Sequence, residues 1–190
     1  DIDGPGKRYY DFQKEILNLY DKGILLAVNS KNNEADALEI IENHPHMLLK
    51  KEHFSVMRIN WRNKAGNMRE IAQELNIGTD SLVFFDDSPV ERALVKSNLP
   101  EVKTVEVPED AAKFTETLQK LPDFELLAIT EDDLKRNRKY RENQRRSEAS
   151  HDFGNAEDFI KSLGTEITVE PANPLTIPRI SQLTLKTNQF

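Results

Sequence analysis

Apolar and polar positions along the chain follow both strand and helix patterns. Two runs of consecutive apolar residues are typical of strands buried on both faces, and they cover residues 24–28 and 82–85. Apolar residues at helical spacing predict helices at residues 9–20, 33–43, 63–75, from 89 onward and 111–121. Shorter apolar stretches predict strands at residues 47–49, 56–60 and 104–107. Because strand and helix alternate, the pattern predicts an α/β fold with a doubly wound, Rossmann-like parallel sheet.

Helix boundaries are marked by residues with special backbone preferences. Lys22 and Gly23 end the first predicted helix. The helix at 63–75 ends at Asn76, Ile77 and Gly78, and Pro89 suits a first helical position. These signals predict that both long apolar strands are followed by a sharp turn into a helix.

The character of the chain changes after Pro122. Residues 131–150 are dense in charge, with few apolar anchors beyond Leu134 and Tyr140, which predicts a solvated connecting helix. Further elements are predicted as a helix at 156–163, a strand at 165–170 and a helix beginning at 175. We therefore divide the chain into a core at 1–127, a charged helical connector at 128–164 and the truncated start of a second α+β domain at 165–190.

Length and composition narrow the function classes. With 190 residues, 37% of them hydrophobic, the chain can bury one sizeable core and part of a second. A net charge of -7 argues against a nucleic-acid binder, which usually carries a basic face. The absence of cysteine excludes disulfides, thiolate metal sites and a thiol nucleophile. No run reaches membrane-spanning length and no signal-peptide pattern is present, so we predict a cytoplasmic protein. The chain begins without Met and closes inside a predicted helix, so we expect a piece of a longer protein.

Polar side chains follow the first apolar strand. A hydroxyl on Ser30 and the backbone amides of Lys31, Asn32 and Asn33 lie at a predicted strand-to-helix turn, where they could hold phosphate oxygens. The alternative for Ser30 is a helix cap. Lys64 lies at a predicted helix start, which is unfavourable for a cation unless an anion faces it. The alternative for Lys64 is an ordinary solvated lysine.

Asp86 and Asp87 follow the second apolar strand directly. Carboxylates at this position suit Mg²⁺, which takes one or two protein carboxylates, waters and a substrate phosphate. The alternative is that Asp87 or Ser88 caps the helix beginning at Pro89. Ligands of parallel sheets bind beyond the carboxyl ends of the strands, so we expect Ser30, Lys64 and the two aspartates to converge on one rim.

A histidine cluster and a basic run give weaker indications of function. The spacing of His44, His46 and His53 fits no familiar zinc pattern. A basic run between residues 135 and 146 is offset by acidic neighbours, which favours a solvated helix face, and a docking surface for an acidic partner is the alternative.

The constellation of Ser30, Lys64, Asp86 and Asp87 resembles the haloacid dehalogenase-like (HAD) phosphohydrolases. Three segments narrow the resemblance to the FkbH-like subfamily of glyceryl transferase/phosphatases of polyketide pathways: residues 28–34, residues 60–64 and residues 83–89. Residues 187–190 also resemble that subfamily, where its acetyltransferase-like region begins. The resemblance implies a HAD-type sheet, here without its first motif strand, and an acetyltransferase-like second domain.

The resemblance also implies a chemistry. In that family an Asp at the end of the first strand attacks phosphorus and a second Asp two residues on acts as acid and base, with Mg²⁺ screening charge. Asp1 and Asp3 have the spacing of that motif, but no apolar strand precedes them and Pro5 departs from the pattern. We therefore expect the motif to lie upstream. Relatives often carry a Cys where this chain has Asn29, and a thiol there would tether the glyceryl group. This chain has no Cys that could serve as that tether.

The resemblance implies an Mg²⁺-dependent phosphatase or glyceryl transferase. Its substrate would be a phosphorylated three-carbon acyl group, and an acyl carrier protein would be a partner. Ser30 and the neighbouring amides would hold phosphate, Lys64 would neutralise it, Asp87 would ligate Mg²⁺, and Asp86 would support or share that ligation. The alternative is a non-catalytic HAD-fold module that docks an acidic partner through the basic run.

Overall fold

The computed structural model describes residues 4–124, 137, 139, 140, 142, 164, 166 and 168–186. The chain divides into two compact units, Asp1–Arg145 and Arg146–Phe190. In the first unit the helices are α1 Lys7–Asp21, α2 Glu34–Asn43, α3 Lys64–Leu75, α4 Pro89–Asn98 and α5 Phe114–Gln119. Its strands are β1 Leu26–Ser30, β2 Phe54–Ile59, β3 Val83–Phe84 and β4 Lys103–Thr104. In the second unit the structure describes α6 Ile177–Lys186. No helix in these described ranges is long and apolar enough to span a bilayer.

The strands form two parallel pairs rather than the one sheet that we predicted. β1 pairs with β2, and α2 lies between them in the chain. In the same way β3 pairs with β4, with α4 between them in the chain. No ladder joins β1 to β3 among the described residues, so the alternation of strand and helix yields two βαβ units. The parallel α/β character predicted from the sequence is confirmed, whereas a single doubly wound sheet is not described.

Helix α3 connects the two βαβ units. Ala65 and Met68 lie in one buried cluster with Phe84, Val95, Leu99 and Val102 around the β3–β4 pair. Ile71 and Leu75 lie in another with Val56 of β2. The helix begins at its cap Asn63, whose side chain accepts from the Ala65 amide, and it ends at Asn76 in the left-handed conformation. One helix therefore fixes the position of β3 relative to β2.

An aromatic cluster packs α1 against the end of β3. Phe12 lies with its ring centroid 4.9 Å from that of Phe85 and 5.6 Å from that of Phe114, and Phe85 and Phe114 are 5.7 Å apart. Aromatic contacts at these separations add to the area they bury. Asp86 therefore directly follows a well-packed residue, Phe85. The turn that we predicted after α1 is confirmed, because Gly23 has φ 89, which favours glycine.

The strand predicted at 47–49 is wrong. The amides of Leu48 and Leu49 donate to the side-chain oxygen of Gln13, at 2.8 and 3.4 Å, and not to a neighbouring strand. Leu49 is buried, so the apolar residues there pack without a ladder. The strand predicted at 104–107 is shifted, since β4 covers Lys103 and Thr104 and the last bond to β3 runs from the Val105 amide to the Phe84 carbonyl at 2.9 Å. Val105 and Val107 pack in an adjacent core cluster.

The charged stretch after Pro122 is not merely a solvated connector where the structure describes it. Asn137 is 5% exposed and its side-chain amide donates to the Tyr20 carbonyl at 2.5 Å. Tyr140 packs against the cluster of Val56, Ile71 and Leu75. Both residues belong to the first unit, so Asn137 and Tyr140 are anchored to its core.

Several predictions for the C-terminal region lie outside the described residues. They concern the helix at 156–163, most of the basic run, and residues 187–190. Residues 168–170 have no regular structure, which does not support a strand there. The helix predicted from 175 is confirmed by α6.

Candidate functional site

Ser30 is the last residue of β1 and does not cap α2. Its carbonyl accepts from the Asn60 amide at 3.0 Å, which ties the ends of β1 and β2 together. The cap is Asn33, whose side chain accepts from the Ala35 amide at 3.0 Å. The alternative that we gave for Ser30 is therefore wrong, and its half-buried hydroxyl lies at the strand end.

The loop after Ser30 uses one of the three amides expected to hold phosphate. The Asn32 side chain accepts from the Asn33 amide at 2.8 Å, so that amide is not free for an anion. The Lys31 ammonium donates to Glu91 of α4 at 2.6 Å. This ion pair brings the end of β1 beside the start of α4.

Lys64 is buried and paired, so the alternative of a solvated lysine is wrong. It is 9% exposed and its ammonium donates to the Asp86 carboxylate at 2.5 Å. Burying either charge alone would cost several kcal/mol, which explains why the two occur together. The pair joins the first residue of α3 to the loop after β3.

Both carboxylate oxygens of Asp86 are engaged. One accepts from Lys64, and the other accepts from the Ser88 amide at 2.9 Å. Asp86 is 9% exposed, so its carboxylate meets protein groups more than solvent. The arrangement favours support of Lys64 over a share in metal ligation.

Asp87 differs from Asp86 both in exposure and in the contacts of its carboxylate. It is exposed, and within the described part of the chain no hydrogen bond or ion pair to its carboxylate is found. The helix cap is Ser88, whose hydroxyl accepts from the Glu91 amide at 3.4 Å. The cap role therefore falls to Ser88, and the Asp87 carboxylate is available to a ligand.

Arg92 is a site residue that the sequence did not indicate. Its guanidinium donates to the carbonyls of Asp86 and Asp87 at 2.8 and 2.9 Å. One α4 side chain therefore holds the backbone of the acidic loop. A hydrogen bond to a backbone carbonyl requires no particular partner side chain, so no sequence motif predicts this role of Arg92.

A cluster of charges fixes the loop before α3. Arg62 forms hydrogen bonds with Glu70, and Arg58 of β2 donates to Glu70 at 3.3 Å and to Glu74 at 2.5 Å. The hydrogen bond from Arg62 holds the pKa of Glu70 below its usual range, and the same contact raises the pKa of Arg62. These contacts tie Arg62 and the strand β2 to α3.

The donor set at this rim is small. Among the described residues no three His, Asp or Glu side chains gather in the manner of a metal site. Mg²⁺ needs only one or two protein carboxylates when waters and a phosphate complete its shell, so the free Asp87 carboxylate fits that ion. His44 and His46 have ring centroids 5.8 Å apart and belong to no such group.

Three contacts join the end of β1, the start of α3 and the residues that follow β3. Lys31 reaches Glu91, Lys64 reaches Asp86, and the Asn29 side chain donates to the Lys64 carbonyl at 2.9 Å. The ends of β1 and β3 therefore lie beside the start of α3. Asp1 and Asp3, the other candidate carboxylates, lie outside the described residues.

A scan against protein families and a search of curated proteins found no match. A solved structure is similar: the N-terminal part of a Bacteroides fragilis protein that contains a phosphatase domain, complexed with Mg. Identity is 45%, the TM-score is 0.64, and the match covers 66% of this chain and 33% of the other, so it spans about a third of that N-terminal part. This protein is therefore similar, in sequence and in α/β fold, to part of a protein that contains an Mg-bound phosphatase domain.

Proposed function

We propose that the protein is an Mg²⁺-dependent phosphatase of the HAD type. The observation that carries this proposal is the buried Lys64–Asp86 pair beside an exposed, unengaged Asp87. Similarity to a protein that contains a phosphatase domain, complexed with Mg, supports it.

Each side chain at the rim has a definable task. The Ser30 hydroxyl donates to a phosphate oxygen at the end of β1. The Lys64 ammonium faces the phosphate and neutralises part of its charge, while Asp86 holds that ammonium in place. Asp87 would hold Mg²⁺, which when bound screens the negative charge that develops on the phosphoryl group.

Substitution of Asp87 tests the proposal. In the gene product that carries the attacking carboxylate, Asp87→Asn removes the charged oxygen and should lower kcat/KM for a phosphate monoester by about 100-fold or more. Asp21→Asn, at an exposed carboxylate at the end of α1, is the matched control and should leave turnover unchanged. Undiminished Mg²⁺-dependent hydrolysis by Asp87→Asn would refute the assignment.

The attacking carboxylate is proposed to lie outside the described residues. The candidates are Asp1 or Asp3 and a carboxylate encoded before Asp1. Phosphate release by the 190-residue chain, lost in Asp1→Asn or Asp3→Asn, would assign the nucleophile to those residues. Release only by a longer gene product would assign it upstream.

We also propose a narrower substrate, a phosphorylated three-carbon acyl group whose glyceryl unit is transferred to an acyl carrier protein. The support is the resemblance of residues 28–34, 60–64 and 83–89 to the FkbH-like subfamily. Mass spectrometry of a carrier protein incubated with the phosphorylated acyl donor measures loading directly. Phosphate release without a carrier adduct would leave a phosphatase and exclude the transferase.

The proposal of a non-catalytic module makes the opposite forecast. Such a module would bind an acidic partner through the basic run and would release no phosphate from any ester, even as the full gene product. Of that run the structure describes Asn137, Lys139, Tyr140 and Glu142. The phosphatase assay therefore decides between the two proposals.

A further inference from the structure

Asn67 is a fully buried polar residue at the base of the candidate site. It lies one turn after Lys64 in α3 and is 0% exposed. Its amide nitrogen donates to the side-chain oxygens of Asn29 and Asn60, at 3.1 and 3.0 Å. Asn29 is the next-to-last residue of β1, and Asn60 directly follows β2. Asn67 thus joins three elements through one side chain.

The orientation of each amide in this network is fixed by a second bond. Asn29 turns its oxygen to Asn67 and its nitrogen to the Lys64 carbonyl, at 2.9 Å. A flipped Asn29 would set two acceptors, its own oxygen and that carbonyl, against each other. A flipped Asn60 would lose the bond that its oxygen accepts from the Arg62 amide at 3.0 Å. Only a donor at position 67 therefore satisfies both neighbours.

The network continues to the charged pair. Asn67 orients Asn29, Asn29 holds the Lys64 carbonyl, and the Lys64 ammonium donates to Asp86. We propose that Asn67 is a positioning residue that sets the Lys64 ammonium for the phosphoryl group. This inference rests on the proposed function for what Lys64 does, but the positioning itself can be measured without turnover.

Asn67→Asp is the sharpest variant because it keeps the size and shape of the side chain. As a carboxylate, Asp would face two acceptor oxygens and repel both. As a neutral acid, Asp would carry one proton and satisfy only one of them. The carboxylate therefore breaks both links and the neutral acid breaks one. Asn29→Ala breaks the next link and serves if Asn67→Asp does not fold.

The experiment is a short pulse of an amine-reactive acetylating reagent, followed by mass spectrometry of each lysine. We expect Lys64, which is shielded in the native protein, to label about tenfold faster in Asn67→Asp, while Lys22 and Lys120 label at unchanged rates. Leu118→Ala, a cavity in α5 away from α3, controls for general loss of stability and should leave Lys64 protected. Unchanged Lys64 labelling in both folded network variants would overturn the proposal.

Kinetics separate this inference from the proposed function. If Lys64 serves phosphate, Asn67→Asp should raise KM and lower kcat for a phosphate ester more than Leu118→Ala does. If Lys64→Ala leaves hydrolysis intact, the proposed role of Lys64 fails. The labelling result would then still decide whether Asn67 positions it.

Discussion

Glu91 forms an ion pair with Lys31 instead of closing the capping box of its own helix. Ser88 and Glu91 have the spacing in which Glu would accept from the Ser amide. In this protein Asp86 accepts from the Ser88 amide, and Glu91 contacts Lys31 at 2.6 Å. The diverted carboxylate joins the loop after β1 to α4, which are 60 residues apart.

A double-mutant cycle of Lys31→Met and Glu91→Gln should show coupling of about 1 kcal/mol in the free energy of unfolding, the upper part of the range for partly exposed pairs. The control is Lys96 with Glu106, at 3.4 Å and with both side chains largely exposed, which should show coupling near zero. Urea denaturation of the four variants in each cycle supplies both values. Equal coupling in the two cycles would mean that the Lys31 contact is an ordinary surface pair.

The local part of this arrangement was predictable and the distant part was not. Pro89 and the caps Asn33 and Asn63 act within one turn, so the sequence predicts where the helices begin. The strand-end position of Asp86 and Asp87 follows from the apolar run before them. The choice of Glu91 between Ser88 and Lys31 depends on how β1 packs near α4, which no local pattern encodes.

The wrong predictions about the fold also arise from contacts between residues distant in the sequence. An apolar run such as 47–49 predicts burial, but burial does not distinguish a ladder from a loop that packs on α1. The decisive partner there is Gln13, 35 residues earlier. Likewise, Asn67 occupies a polar position on the buried face of α3. That polarity is the one signal that could have revealed it, because a buried polar side chain demands partners.

The Lys64–Asp86 pair should be costly to break from one side. Lys64→Met or Asp86→Leu alone leaves an uncompensated buried charge and should lower the free energy of unfolding by about 3 kcal/mol. The double variant removes both charges and should recover much of that loss, because its apolar side chains can fill the space. Denaturant melts of the three variants measure this. Additive losses in the double variant would contradict a buried, mutually dependent pair.

The Arg62–Glu70 contact should appear in the titration of Glu70. Its lowered pKa has the Arg62 hydrogen bond as its main cause, so Arg62→Ala should move that pKa up toward the ordinary carboxyl range. Because the folded pKa lies below the unfolded one, the contact stabilises the fold above about pH 4.3 and loses its effect as pH falls through the folded pKa. NMR titration of the Glu70 carboxyl measures the shift. Arg58→Ala should move it less, since Arg58 contributes less to the lowering. Titration of Glu70 in the ordinary range in the native protein would reject the contact.

Arg92 should control the affinity of the acidic loop for Mg²⁺ without touching the ion. One terminal nitrogen of its guanidinium donates to the carbonyls of both Asp86 and Asp87. A lysine ammonium ends a shorter and more flexible side chain, so it does not hold a donor at the same point. Arg92→Lys keeps the charge, so any loss reports on orientation, and we expect Mg²⁺ affinity to fall about tenfold, as for other residues that orient metal ligands. Arg69→Lys is the matched control, because Arg69 also donates to a backbone carbonyl, that of Asn98, at 3.0 Å but away from the loop. Isothermal titration with Mg²⁺ compares the two variants. An equal Mg²⁺ affinity in Arg92→Lys and Arg69→Lys would show that the acidic loop keeps its shape without Arg92. The position of Asp87 would then have to be fixed by the Ser88 cap.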